Sequence, residues 1–227
     1  MKSLLISGIS GKVGSQVLKF ANKHSFNVIC GVDRKTFSDA DCPVYSDFSE
    51  VKENVDVIID FSSPALFEQV IDFAKRRKCK LVTGTTALLT NQTVKLKQLS
   101  EYVAVCHSNN FSNAIFPFVW ACEKLASTLK DFDRVLIEEH NKFKKDSPSG
   151  TAKMIAERLS ISQIHAIRGG NVAGVHKIIF YGQDEEIEIC HTVYNKSVFA
   201  NGALKCAYEL LGKEKGLFTV ENLINND

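Results

Sequence analysis

Between Glu138 and Ala152 the chain reads EEHNKFKKDSPSGTA. An imidazole at His140 is followed by Lys142, Lys144 and Lys145 and then by a Pro-Ser-Gly-Thr turn. Histidine exchanges a proton near neutral pH. Pro148 ends an extended run, Ser149 is a residue type that caps helices, and Gly150 and Thr151 open the helix behind it. The free N–H groups and partial positive charge of a helix start hold anions. A proton donor, a cation and an anion cradle side by side suit a small dianion such as a dicarboxylate. His140, Lys144 and Thr151 carry that reading, whereas Lys142 and Lys145 read as solvated surface charges. In an extended segment Lys142 and Lys144 would share one side.

A second candidate is GISGKVGS, residues 8–15, which follows the apolar run SLLIS and opens a helical pattern. Gly8, Gly11 and Gly14 are spaced G-x-x-G-x-x-G, a variant of the usual dinucleotide fingerprint, with Ser10, Lys12 and Val13 between them. Glycines let the backbone approach a pyrophosphate at the helix start. Asp33 ends the next strand, where a carboxylate accepts hydrogen bonds from the adenine-ribose diol of NADH. Arg34 and Lys12 are cations able to hold the 2′-phosphate of NADPH. The expectation is use of both, with neither favoured more than about a hundredfold in kcat/KM.

These residues need elements to position them. Strand patterns at 3–7, 27–32, 55–60, 80–86 and 102–108 alternate with helical patterns at 12–24, 64–78 and 91–101, with Pro64 in the first-turn position of the second helix. That alternation predicts a parallel sheet covered on both faces, whose ligands lie at the carboxyl edge. The loops at that edge bring Phe61, Ser62, Gly84, Thr85, Thr86, Ser108, Asn110 and Phe111 toward the glycine loop. After Ser108 the texture changes. A long apolar helix pattern (110–130), a strand (133–141), a short helix (151–160), strands at 163–168, 175–183 and 185–193, and a last helix (197–212) follow. They predict a smaller α+β domain with a mixed sheet, the last helix packing back on the first domain. The fold class is α/β, a Rossmann-like domain plus this second unit. Residues 1–110 form the dinucleotide-binding domain, completed by 202–227, and 111–201 the second domain.

Composition narrows the classes. The formal net charge of +2 gives no argument for nucleic acid, and no apolar run approaches a membrane span. The apolar start of MKSLLISGIS is too short for a signal peptide and reads as a first strand. Seven scattered Cys without a C-x-x-C pair fit reduced thiols and a cytoplasmic protein better than a disulfide framework. Cys190 and His191 are adjacent, so on a strand they face opposite ways and do not share a metal ion. No metal site is expected.

GISGKVGS, DFSSP (60–64), TGTT (83–86), SNNFSNA (108–114), EEHNKFKKDSPSGTA, RGGNVAGVH (168–176) and FANGA (199–203) occur in this order. The set resembles the 4-hydroxy-tetrahydrodipicolinate reductase (dihydrodipicolinate reductase) family of bacterial lysine and diaminopimelate biosynthesis over essentially the whole chain. The resemblance implies an NAD(P)H-dependent oxidoreductase, a homotetramer, that reduces a cyclic dicarboxylate, with the second domain serving substrate binding and oligomerisation. It places His140 on the family's proposed general acid, Lys144 on its catalytic lysine, and Ser149, Gly150 and Thr151 on its carboxylate cradle. Gly84, Thr86, Asn110 and Phe111 match its nicotinamide loops. Where the family often has a second His, this chain has Asn141, which donates a hydrogen bond but carries no charge. The chain is also shorter than most members. Two other readings stay open at this point: another two-domain NAD(P) amino- or keto-acid dehydrogenase, and a dinucleotide sensor without turnover.

Overall fold

A computed structural model describes residues 1–35 and 37–224. The chain divides into two compact units, Met1–Phe111 with the segment returning at Ser197, and Ser112–Lys196. The last three residues of the 202–227 segment lie outside the described residues.

The first unit runs β1 (Lys2–Ser7), α1 (Gly14–Phe20), β2 (Phe26–Val32), β3 (Val44–Tyr45), β4 (Val57–Asp60), α2 (Phe67–Arg77), β5 (Lys80–Thr83), α3 (Thr90–Leu99) and β6 (Ala104–His107). In the second unit come α4 (Ile115–Thr128), β7 (Asp133–His140), α5 (Gly150–Leu159), β8 (Gln163–Arg168), β9 (Gly174–Tyr181) and β10 (Glu186–Val193). The chain then returns through α6 (Ser197–Leu211), β11 (Gly216–Phe218) and α7 (Val220–Ile224).

The first sheet has the order β11-β6-β5-β4-β1-β2-β3 and is parallel throughout. A parallel sheet covered on both faces needs strands that are apolar at nearly every position. Leu4, Leu5 and Ile6, and Val57, Ile58 and Ile59, are accordingly fully buried. Leu5, Ile58, Leu81 and Val105 pack on Phe67, Val70, Ile71 and Phe73 of α2 and on Leu96 and Leu99 of α3. α1 and α6 pack together, and α6 also lies against β4, β5 and β6. Burying each such Leu, Ile or Phe contributes roughly 1.5–3 kcal/mol. Strand order reverses between β1 and β4, which makes their carboxyl ends the switch point where open α/β sheets bind ligands.

The second sheet has the order β10-β9-β7-β8, with β7 antiparallel to β9 and parallel to β8. α5 is the crossover that a parallel β7–β8 pair requires, and α4 packs on α5 and β10. No helix among the described residues is long and apolar enough to cross a membrane.

Besides the short strands β3 and β11, which no sequence pattern announced, two details near the candidate site differ from the sequence expectation. α2 begins at Phe67, because Ser63 and Pro64 carbonyls accept turn bonds from the N–H groups of Leu66 and Phe67 before the helix starts. Residues after His140 are not extended: the Lys144 N–H donates to the Asn141 carbonyl (3.1 Å), and the turn removes the two-residue alternation expected for Lys142 and Lys144.

Candidate active site

In the first unit the glycine loop closes on itself. Gly8 follows β1 with φ +77°, a backbone state that favours glycine. Its N–H donates to the Val32 carbonyl (2.8 Å), and its carbonyl accepts from Gly11 (3.0 Å). A Cβ at Gly14 would lie 2.0 Å from the Gly8 carbonyl oxygen, so α1 starts directly against the end of β1. Phe61 donates its N–H to the Ser7 carbonyl (3.0 Å), which brings the β4 loop to the same edge.

Asp33 is tied to this loop. Its Oδ2 accepts from the Ser10 N–H (3.0 Å) and hydroxyl (2.8 Å), and its Oδ1 from the Lys35 N–H (3.1 Å). Burial pushes the carboxyl up, but these hydrogen bonds outweigh it and hold Asp33 below the ordinary carboxylate value. Lys12 and Arg34 are exposed and Val13 is half-buried.

Asp60, which opens the DFSSP motif, organises the neighbouring loops, a scaffold role that the sequence did not reveal. Fully buried, it accepts from the hydroxyls of Thr83 (2.8 Å) and Thr85 (2.7 Å) on one oxygen and from Ser62 on the other. Thr85 thus faces inward as scaffold, while Thr86 is exposed. A Cβ at Gly84 would meet the Phe61 ring at 2.2 Å. The Phe61 ring meets that of Phe111 edge-on at 5.6 Å. Phe111 is 1% exposed, so its side chain shapes the loop from beneath. The Ser108 hydroxyl donates to the Asn110 carbonyl (2.7 Å) and accepts from the Asn110 N–H (3.1 Å), closing the last loop.

In the second unit β7 delivers Glu138 and His140 to one face, as the two-residue period of a strand requires. His140 Nδ1 donates to Glu138 Oε2. Glu138 is fully buried, and its Oε1 also accepts from Arg168 Nη2 (2.6 Å) and the Ser149 N–H (3.1 Å). Ser149 caps α5, its hydroxyl accepting from the Ala152 N–H (3.1 Å). Ser149, Gly150 and Thr151 therefore form the start of a ten-residue helix beside His140. Lys144 reaches Asp146 Oδ1 at 2.8 Å. Asn141 Oδ1 accepts from the Phe143 N–H (3.1 Å), which shapes the turn between ring and lysine. Lys142 and Lys145 are exposed.

Burial is the largest influence on the His140 ring and lowers its pKa. The Glu138 hydrogen bond and charge raise it, Lys144 and Arg168 lower it, and the balance falls below the ordinary imidazole value. Beneath lies His176, 2% exposed, its ring edge-on to His140 at 5.5 Å. Neither His176 ring nitrogen has a hydrogen-bond partner among the described residues, and burial pushes its pKa down to about 3. Further in, His191 stacks on His176 at 6.3 Å and bonds to the Ser112 hydroxyl (3.2 Å). Among the described residues no cluster of His, Cys, Asp and Glu is placed to hold a metal ion.

The cradles fit the groups they would hold. Side-chain-free backbone at the β1/β4 switch point suits a pyrophosphate, and a capped helix start beside a lysine suits a carboxylate.

Residues 2–111 match the family model for the N-terminus of dihydrodipicolinate reductase, and residues 114–224 the model for its C-terminus. The 4-hydroxy-tetrahydrodipicolinate reductase of Caldanaerobacter subterraneus subsp. tengcongensis is 37% identical over 250 residues, covering 99% of this chain and 98% of that protein. That of Alkaliphilus oremlandii is 35% identical over 249 residues, covering 98% of each. Both alignments exceed the 227 residues of this chain, so these relatives carry insertions that it lacks. A dipicolinate-bound dihydrodipicolinate reductase from Paenisporosarcina sp. TG-14 shares the fold, with a TM-score of 0.80, 21% identity and full coverage of both chains. Matched in both halves and along nearly its whole length, the chain belongs to the dihydrodipicolinate reductase family, NAD(P)H-dependent oxidoreductases of lysine and diaminopimelate biosynthesis.

Proposed function

We propose that this chain reduces 4-hydroxy-tetrahydrodipicolinate, or its dehydrated form, to tetrahydrodipicolinate, with His140 as general acid and Lys144 stabilising charge. One observation carries the assignment of roles: a histidine held at Nδ1 by a buried carboxylate lies beside a capped helix start and a lysine. Bound NAD(P)H supplies the hydride. Gly8, Ser10, Gly11, Lys12, Val13 and Gly14 hold its pyrophosphate, and Asp33 and Arg34 face its adenine ribose. The loops of Phe61, Ser62, Gly84, Thr85, Thr86, Ser108, Asn110 and Phe111 shape the nicotinamide end. Ser149, Gly150 and Thr151 hold one substrate carboxylate through backbone N–H groups and the Thr151 hydroxyl, and Asn141 donates a hydrogen bond to the other. Once water has left the hydroxylated ring, hydride addition to its conjugated carbon–carbon bond builds negative charge toward the ring nitrogen. Lys144 leaves Asp146 to neutralise that charge, and His140 Nε2 gives its proton to the reduced ring. In the free protein burial favours the neutral imidazole of His140. A dianionic substrate raises its pKa and charges it at the moment it is needed.

The protein acts in the cytoplasm as a homotetramer. The face of the second sheet opposite His140 carries Ile137, Ile167, Val175 and Tyr181, of which Ile167 is 48% and Tyr181 39% exposed. Apolar side chains on an open sheet face suit burial against other copies, and light scattering tests the assembly.

The first experiment follows NADH and NADPH oxidation with substrate generated in place from pyruvate and aspartate semialdehyde by the preceding synthase. Turnover that collapses in His140→Ala supports the reaction and its acid. Turnover unaffected by that change keeps the reaction and discards the acid. No oxidation by protein that still binds the cofactor overturns the reading.

A further inference from the structure

We infer that Glu138 is the positioning residue for the proton donor, and that with Arg168 it locks the acid and the carboxylate cradle into one unit. The inference rests on the proposed role of His140 and extends it to groups that touch no substrate.

The two oxygens of Glu138 divide the work. Oε2 accepts the hydrogen bond from His140 Nδ1–H. That bond fixes the ring's rotation and its neutral tautomer, and it leaves Nε2 as the nitrogen that exchanges protons. When the ring charges, the carboxylate stabilises the imidazolium. Oε1 accepts from the N–H of Ser149, the first residue of the cradle (3.1 Å). A single carboxylate thus sets the spacing between the acid and the helix start that receives the substrate carboxylate.

Arg168 makes the arrangement tolerable. A fully buried carboxylate is costly unless charged and hydrogen-bonded partners surround it. Arg168 is the register partner of His140 in the parallel β7–β8 pair, so its guanidinium lies on the same face. Nη2 donates to Glu138 Oε1 (2.6 Å) and also to the Asp146 carbonyl (2.7 Å). It thereby holds the loop between the ring and the cradle, which carries Lys144. Backbone bonds from Gly169 N–H to the His140 carbonyl (3.0 Å) and from Lys142 N–H to the Gly170 carbonyl (3.3 Å) fasten the same loop to the end of β8.

The groups facing His140 are Glu138 on β7, Lys144 on the loop, Arg168 on β8 and His176 on β9, with His191 of β10 behind His176. Of these only Glu138 is anionic. Removing its charge while keeping its shape therefore lowers the proton affinity of the ring, a change that a purely structural residue would not cause.

The test is Glu138→Gln in the full chain, read in two ways. The first is NMR titration of the His140 ring, identified by comparison with His140→Asn. The expected result is a His140 midpoint at least about one pH unit lower than in wild type. The second is the pH dependence of NAD(P)H oxidation, where kcat falls roughly tenfold or more and the loss at alkaline pH begins at lower pH. An unmoved His140 midpoint in folded Glu138→Gln overturns the proposal. Should that variant not fold, Glu138→Asp keeps the charge and shortens the reach. It is expected to lower kcat at an unchanged cofactor Kd, and wild-type kcat in it also overturns the proposal. The NMR titration needs no turnover, so it decides the role of Glu138 even if the assigned reaction fails.

Discussion

A Cβ on Gly174 would stand 3.3 Å from His140 Nε2, the ring nitrogen not engaged by Glu138. At that distance the ring must give by a few tenths of an ångström, and catalysis is sensitive to such shifts. Gly174→Ala is expected to lower kcat about three- to tenfold with little change in cofactor Kd or melting temperature, and Gly174→Val to lose more. Steady-state kinetics with thermal denaturation checks this. Wild-type kcat in Gly174→Val would show that Nε2 is not the working atom.

The pH profile follows from the direction of the His140 shift. Burial, together with the nearby charges of Lys144 and Arg168, lowers its pKa more than Glu138 raises it. A general acid must be protonated, and its protonated fraction falls as pH rises through its pKa. kcat/KM reports the free enzyme and is therefore expected to fall with rising pH around a midpoint below about 6.5. kcat reports the complex, where substrate carboxylates favour the charged ring, so its midpoint lies higher. A kcat/KM that stays flat between pH 5 and 8 in wild type would remove His140 from the role of acid.

Much of this site is visible in the sequence, and the reasons for the remainder are physical. Apolar runs and helical spacing locate the parallel strands because a doubly covered sheet leaves little freedom of composition. β3 and β11 are two and three residues long, too short to show a period. The cradle is legible because capping needs Ser149 next to the helix start. Glu138 could have been found, since a Glu and a His two apart on a strand share a face. Arg168 could not, because its place beside His140 is set by β7–β8 register, a long-range property that one sequence does not display. Asp60 stood in plain view at the end of β4, but its partners Thr83 and Thr85 come from another strand.

Burial of His176 also makes stability depend on pH. Its folded pKa of about 3 lies well below the unfolded value, and His107, His140 and His191 are lowered too, each chiefly by burial. Their contribution is fully present above about pH 6.5 and is lost as pH falls, because the unfolded chain then binds protons that the native state refuses. Each such group removes up to about 1.4 kcal/mol per pH unit below its unfolded pKa. Chemical denaturation between pH 7.5 and 5 is expected to show this decline. His176→Phe is expected to reduce the slope by close to one proton, whatever its stability at pH 7.5. An unchanged slope would place the proton uptake elsewhere.

The glycine loop gives a prediction with a built-in control. A Cβ at Gly14 would meet the Gly8 carbonyl oxygen at 2.0 Å, backbone against backbone, and no side-chain rotation can relieve that overlap. A Cβ at Gly169, by contrast, meets nothing within 4 Å. Gly14→Ala must push the start of α1 away from the end of β1. It is expected to cost roughly 2–4 kcal/mol of stability. If folded, it is expected to weaken NADH and NADPH binding at least about tenfold, because the N–H groups proposed to hold the pyrophosphate move with the helix. Gly169→Ala is expected to leave cofactor binding unchanged and stability within about 0.5 kcal/mol. Denaturation curves and cofactor fluorescence titrations on both variants check this. A Gly14→Ala protein that folds and binds both cofactors like wild type would take the pyrophosphate away from this loop, while leaving the His140 chemistry to be judged on its own.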